Sequence, residues 1–507
     1  MNPSFPKLLS TNMSAFQACI PLAQLPKTFK DAVQVTRRLG LRYLWIDALC
    51  IIQDSQQDWL QEAASMTNVY SSSGLNLAAE ASVDAIGGLF YEREPAALNG
   101  CDIPVQWESL GAKDTIKQIY HVSLRNPWLH MLQDSPLQKR AWAFQERLLS
   151  PRTLHFAGDQ IFWECFDAIL SESNPDTNIW RPHSLHDEAS SSVKEQFASV
   201  CRDGDPRLGL DVWNELIKSY SRRAVTYGSD KMVALSGVAA KMALAFRPDD
   251  YLAGIWRQGL PKSLLWHALL VAIPAQQYRA PSWSWASIDG EIAYAQDIPH
   301  QVVCELLLGT VIATGGSFGP VTEGLLVVKG FICDASLVAS TIRRQHTWRE
   351  SLCPYSQSDT DMKICLDEGR DFSSIMAIPT GLFLLPVVFS GGLPLGQNPQ
   401  QRFWSLAGLI LKPTQNAIGR FQRVGVFKAR GTPNKPKTEA PTRLSSCLRD
   451  QDFRKFVHLT AHSLRSWAWV GARLAERDLY TAFVKPKLKR HHYRAFDGIS
   501  QYTIEIV

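Results

Sequence analysis

Two stretches concentrate residues that can do chemistry. The first, "RYLWIDALCIIQD" (42–54), sets Asp47, Cys50 and Asp54 in an otherwise apolar run, with Ser55 directly after it. The second, "QKRAWAFQERLLSPRTLHFAGDQIFWEC" (138–165), crowds Arg140, Glu146, Arg147 and Arg152 around a helix-like core. A carboxylate inside an apolar segment costs several kcal/mol unless it is paired or hydrogen-bonded. Asp47 is therefore expected either to anchor the fold by accepting hydrogen bonds from a loop or an arginine, or to take part in a ligand site. Cys50 reads as a small buried hydrophobe; a reactive thiol there would need a nearby histidine or a helix N-terminus. The arginine-rich stretch is expected to pair its charges internally and so position its helix, or else to clamp a substrate.

These residues need elements to hold them. In "LPKTFKDAVQVTRRLG" (25–40), Phe29, Ala32, Val33, Thr36 and Leu39 recur at helical spacing. Pro26 suits the start of that helix and Gly40 its end. Tyr43 to Ile52 reads as a strand buried on both faces. Ser55 and Asp58 have capping-box spacing, and Trp59, Ala63, Met66 and Tyr70 then mark one face of a helix. "LNLAAEAS" (75–82) reads as a second strand. Strand, helix and strand with short links predict a βαβ unit of parallel neighbours. In an open α/β sheet ligands bind beyond the carboxyl ends of the strands, which puts Asp54 and Ser55 nearest such an edge. Further on, "RAWAFQERLLS" suits a helix, and "RTLHF" and "QIFWEC" suit a hairpin around "AGD".

The rest of the chain sets limits. It has 507 residues, 45% hydrophobic and 20% charged, with a formal charge of +5. That is an ordinary globular composition with no concentrated basic face, so nucleic acid is not an expected partner. Its ten cysteines form no C-x-x-C pair. Neither a zinc site, or any other metal site, nor a disulfide framework is expected. The apolar runs 264–275 and 381–389 fall short of the roughly 18–20 residues that span a bilayer, and are read as core. No secretory leader is recognised, so a cytoplasmic location is expected. Residues 166–208 read as a polar linker or surface excursion, and 209–507 as a helical, then β-rich region. "KPKLKRHHYR" (485–494) is a basic run, read first as solvated surface. No G-x-G-x-x-G or Walker-type loop occurs, and no cofactor is expected.

Taken together, "LPKTFKDAVQVTRRLGLRYLWIDALCIIQDSQQDWLQEAASMTNVYSSSGLNLAAEAS" and "RAWAFQERLLSPRTLHFAGDQIFWEC" resemble the fungal heterokaryon-incompatibility (HET) domain family. "TYGSDKMVALSGVA", "YLAGIW", "RAPSWSWAS" and the final "YTIEIV" resemble later segments of its long members. The resemblance implies a HET domain over 1–165, of α/β class with a TIR-like or flavodoxin-like parallel sheet, ahead of a mixed α+β region rich in strands. It marks Asp47, Cys50, Asp54, Ser55, Arg140, Trp142, Gln145, Glu146 and Arg147 as ligand-binding or structural motif positions. Members usually begin with a further strand bearing a "Y-x-x-L-S-Y/H-x-W-G"-like motif. "PSFPKLLSTNMSAF" offers none, so a truncated member with an exposed sheet edge is expected. The family implies non-self recognition between hyphae that ends in cell death, through a protein partner or self-association. Kinship with TIR domains implies an alternative, hydrolysis of NAD. Glu62, on the helix after "WIDALCIIQD", would then stabilise an oxocarbenium-like transition state. Its other reading is a solvated acid favoured by the helix dipole.

Overall fold

The structure is a computed structural model that describes residues 5–93, 100–108, 115–122, 128, 132, 135–176, 178, 192–269, 272–294, 301–335, 360–367, 381–395, 398–415, 417–431, 492–496 and 501–507. The chain divides into two units. One comprises residues 1–212, 223–226 and 233–245; the other comprises 213–222, 227–232 and 246–507.

The first unit carries both motif stretches. Its helices are α1 (Met13–Ala18), α2 (Lys27–Arg38), α3 (Asp47–Cys50), α4 (Gln56–Ser71), α5 (Ala141–Leu149) and α6 (Val193–Asp203). Pro26 immediately precedes α2, and Gly40 follows it at φ 71°. The Gly40 amide bonds the carbonyl of Arg37 and the Leu41 amide that of Thr36, a Schellman ending. Its buried face is Asp31, Ala32, Val35 and Thr36, rotated from the expected one, which leaves Leu39 exposed. Asp31 is turned inward because its carboxylate accepts the Leu89 amide at 2.8 Å and Lys27 Nζ at 3.2 Å.

The strand expected over 43–52 does not form. Residues 41–46 pair in no sheet, and Asp47–Cys50 make one helical turn. Asp47 is consequently exposed rather than deep in a strand, and its carboxylate turns back to its neighbour's amide on Ala48 at 2.7 Å. Cys50 is exposed too, not a buried hydrophobe. Local capping outcompetes the ladder here: the amides of Leu49, Cys50 and Ile51 find the carbonyls of Ile46 and Asp47 within the turn.

The remaining expectation for this region holds in part. Strand β1 (Asn76–Ala78) forms, but its parallel partner is β4 (Arg152–Phe156). Strands β5 (Ile161–Cys165) and β6 (Ile169–Ser171) continue the sheet antiparallel, in the order β1-β4-β5-β6. The domain is thus α/β with a mixed, four-stranded sheet. A separate hairpin joins β2 (Cys101–Glu108) to β3 (Thr115–Val122). Helix α6 lies in the stretch read as polar linker, capped by Ser192 Oγ on the Glu195 amide. Helices α7 (Pro206–Ser221) and α8 (Asp230–Met242) follow, and the divide between the units falls within them.

The second unit is β-rich, as expected. Its ten-stranded sheet runs Gln301–Val302, Leu382–Leu395, Asn398–Pro413, Arg420–Gly431, Tyr502–Ile506, Val321–Gly330 and Glu305–Ala313, with three short strands attached to its sides. Only His492 to Arg494 of the basic run 485–494 are described, and Arg494 pairs with Glu505 at 2.6 Å. The segments "YLAGIW" and "RAPSWSWAS" meet in one aromatic core. Ala253 and Gly254 have φ of 45° and 91°, the positive pair that a two-residue I′ hairpin turn demands. The Gly254 carbonyl accepts both the Trp213 and the Trp285 indole N–H at 3.0 Å. Nearby, the buried Arg423 guanidinium lies 3.3 Å over the Trp266 ring and bonds Asp367 through two nitrogens.

A Cβ on Gly254 would stand 2.7 Å from Trp285 Nε1. Gly254→Ala is expected to lower stability by about 1–3 kcal/mol, through the positive φ and the overpacked indole. A urea titration followed by tryptophan emission measures it.

Candidate functional site

Helix α5 brings the two motif stretches together, because consecutive side chains on it point to different neighbours. Trp142 packs edge-on against Trp59 of α4, ring centres 6.4 Å apart. Gln145, 1% exposed, accepts the Gly237 amide of α8 at 3.3 Å. Glu146 reaches the Tyr70 hydroxyl, in the electrostatic range of Asp47 and Arg140. Tyr70 in turn stacks edge-on with Trp45, ring centres 5.7 Å apart. Arg140 is exposed at the helix entry.

The electrostatics of this cluster are unusual for a half-buried carboxyl. Burial first, then the charge of Asp47, pushes the Glu146 carboxyl up to about 7, against the pull of Arg140 and the Tyr70 hydrogen bond. Burial and the Glu146 charge drive the Tyr70 hydroxyl well above its ordinary value. Cys50 is also raised, chiefly by desolvation, with Asp47 and Glu62 adding their charges. The thiol is therefore not an activated nucleophile. A carboxyl held near 7 can give or take a proton at neutral pH, and Glu146 is the residue here with that property.

The other motif residues have structural partners. Asp54 accepts both the amide (2.8 Å) and the hydroxyl (2.6 Å) of Ser10, which hold its carboxyl below the usual range. Ser55 Oγ caps α4 on the Asp58 amide at 3.2 Å, while Asp58 accepts the Ile52 amide at 2.7 Å. Glu62 accepts from Ser65 Oγ at 3.1 Å on its own helix. Among the described residues, no three His, Cys, Asp or Glu side chains come together as metal ligands.

Sequence reasoning missed the most buried part of the site. Arg147 pairs not with Glu146 but with Glu164, further along the same stretch on β5, through Nε (2.9 Å) and Nη2 (2.7 Å). His155 Nε2 lies 3.2 Å from the same Glu164, and His155 Nδ1 lies 2.7 Å from Glu80. Glu80 also accepts from Ser135 Oγ (2.5 Å) and Gln138 Nε2 (2.8 Å). Lys194 of α6 stands 3.7 Å from Glu164, and the side chains of Glu80, His155, Glu164 and Lys194 are fully buried. Trp128 meets the His155 ring edge-on, and the Arg147 guanidinium lies 5.1 Å from the Trp128 ring centre. The signal was present in the strand alternation. In "RTLHF" and "IFWEC" the inward positions are Thr153, His155, Phe162 and Glu164, so two ionisable residues share one buried face.

Burial opposes the charged forms here, and pairing overcomes it. Burial alone would raise Glu164, but the charges of Arg147 and Lys194 and the bonds to Arg147 and His155 hold it far below its ordinary value. Burial would lower His155, but its bonds to Glu164 and Glu80 hold it above. Lys194 is lowered to about 8 by burial, with Glu164 resisting.

A helix that presents a titrating carboxyl on one side and a buried ion-pair network on the other, against a mixed sheet, defines an α/β module organised around two sequence motifs. Residues 5–146 match the family described as Heterokaryon incompatibility protein (HET), and the chain carries a HET domain. No curated protein and no solved structure matches it. Among the described residues no helix is long and apolar enough to cross a membrane.

Two measurements test these assignments. The unfolded Glu146 carboxyl loses its proton near 4.5 and the folded one near 7, so stability falls as pH rises between those values. Glu146→Gln is expected to match the parent at pH 5 and to exceed it by about 2–3 kcal/mol at pH 8, read by urea denaturation. Glu164→Gln strands Arg147, His155 and Lys194 in the interior and is expected to cost about 3–5 kcal/mol. For His155, whose folded value is raised, the stabilisation is full below the unfolded pKa and fades as pH climbs through the folded one.

Proposed function

We propose that this is a heterokaryon-incompatibility-type protein of fungal non-self recognition. Its HET domain, taken over residues 1–165, triggers programmed cell death in the cytoplasm by assembling with a protein partner or with itself. The residues 166–208 link it to a C-terminal region, 209–507. The observation that carries this reading is the use of the motif residues. Asp54, Ser55 and Glu62 are occupied by Ser10, by the α4 cap and by Ser65, which fits a module built to hold a surface rather than to open around a ribose. Arg147 and Gln145 likewise serve packing. The family match over 5–146 supplies the biological class.

A TIR-like NAD hydrolase is the second reading. What favours it is a carboxyl held near 7, Glu146, in the same domain as Glu62. The two readings separate in one experiment. The full chain and its Glu62→Ala variant are expressed in yeast, and cellular NAD and viability are followed together. The expected result is equal loss of viability with both chains and NAD unchanged. NAD falling with viability, and both effects abolished by Glu62→Ala, would replace assembly with hydrolysis.

A further inference from the structure

The outer side of α2 carries an open depression of about 470 Å³, lined by Leu22, Ala23, Val33 and Gln34 and, on its charged part, by Lys30, Arg37 and Arg38. No acidic side chain lines it. The one acid of α2, Asp31, is turned into the interior, held by the Leu89 amide and Lys27, and does not line the depression. Lys30, Arg37 and Arg38 make no ion pair or side-chain hydrogen bond among the described residues, and Leu22 leaves 42% of its surface in solvent. The chain leaving α2 adds more of the same character. Leu39, Leu41 and Tyr43 are exposed at 49%, 47% and 84%, and Arg42 lies 5.6 Å from the Tyr43 ring centre.

Two arginines in a last helical turn have an ordinary role, since they oppose the negative end of the helix dipole. That role asks for neither an apolar depression beside them nor a lysine two turns earlier on the same side. A concave apolar floor with an uncompensated cationic rim is complementary to a side chain of matching kind: apolar at its centre and carboxylate at its edge.

We infer that the α2 groove docks an acidic, leucine-bearing segment of a protein partner, with the apolar side chain on Leu22, Ala23 and Val33 and the carboxylates on Lys30, Arg37 and Arg38. This deepens the assembly reading and rests on it for its biological meaning, while the binding itself is testable without it. Charge at the rim makes the contact dependent on salt.

The test uses the purified full chain and a fluorescent peptide alternating glutamate with leucine. The double variant R37E/R38E, the milder R37Q/R38Q and a lysine-for-glutamate peptide serve as controls. Anisotropy is expected to show binding of the acidic peptide, weakened roughly tenfold or more by R37E/R38E and by raised salt, and no binding of the lysine peptide. Circular dichroism melts show that the variants fold, and R37Q/R38Q carries the result if the reversal destabilises α2. No binding, or equal binding by parent and variants, overturns the inference. So does groove-dependent binding of phosphatidylserine vesicles in place of the peptide, which makes the groove a membrane contact. An arginine-dependent dimer seen by sedimentation without peptide binding assigns it to a second copy and also overturns it. Viability in yeast is read separately: cell death that persists in a variant unable to bind peptide leaves the proposed function standing and removes only the groove from it.

Discussion

The first unit depends on satisfying one buried carboxylate. Glu164 sits in the middle of the sheet with no solvent, so its charge must be met by protein. Arg147 from α5, His155 from β4 and Lys194 from α6 all converge on it. Because one acid draws a partner from three elements, the position of each is fixed by the same requirement. Through His155 the constraint passes to Glu80 just after β1, and through Glu80 to Ser135 and Gln138 ahead of α5. Gln138 in turn accepts Arg223 Nη2 at 2.8 Å. Ion pairs of this kind add little net stability over an apolar core, but breaking one is costly, so they select a single arrangement.

Helix α5 converts that constraint into a surface property. Arg147 is tied down on the side of the sheet, which leaves its sequence neighbour Glu146 to face α4. There burial first, and then the field of Asp47, raise the carboxyl against the pull of Arg140 and of its bond to Tyr70. The motif "AFQERLL" thus reads as a division of labour: Phe144 and Leu148 fill the core, Gln145 holds a backbone amide, Arg147 anchors and Glu146 titrates.

Much of this was legible in the sequence, for identifiable reasons. Helix α4 follows from its Ser55 cap and the spacing of Ala63 and Met66, both buried, and α5 with the β4–β5 hairpin from equally local signals. The strand over 43–52 was misread because a continuous apolar run does not distinguish a ladder from an irregular segment ending in a turn. Pairing is a long-range property, and β1 chose β4, more than seventy residues away, over the nearer candidate. Helix α6 was missed because its composition is polar, and Lys194 looks like any surface lysine until its partner is known. The ionic network escaped notice in part for the same reason: His155 and Glu164 share a face of the β4–β5 hairpin, but Glu80 and Lys194 lie far from them in sequence and meet them only in the folded domain.

The distances in that network along the chain have a consequence for how the molecule is made. Glu80 leaves the ribosome long before His155, its partner 75 residues later, and Glu164 before Lys194. Until the chain has grown past His155, Glu80 has no cationic partner, whereas Glu164 emerges after Arg147 and His155 and awaits only Lys194. A fragment cut at residue 146, where the family match ends, would keep Glu80 and lose every cation of the cluster.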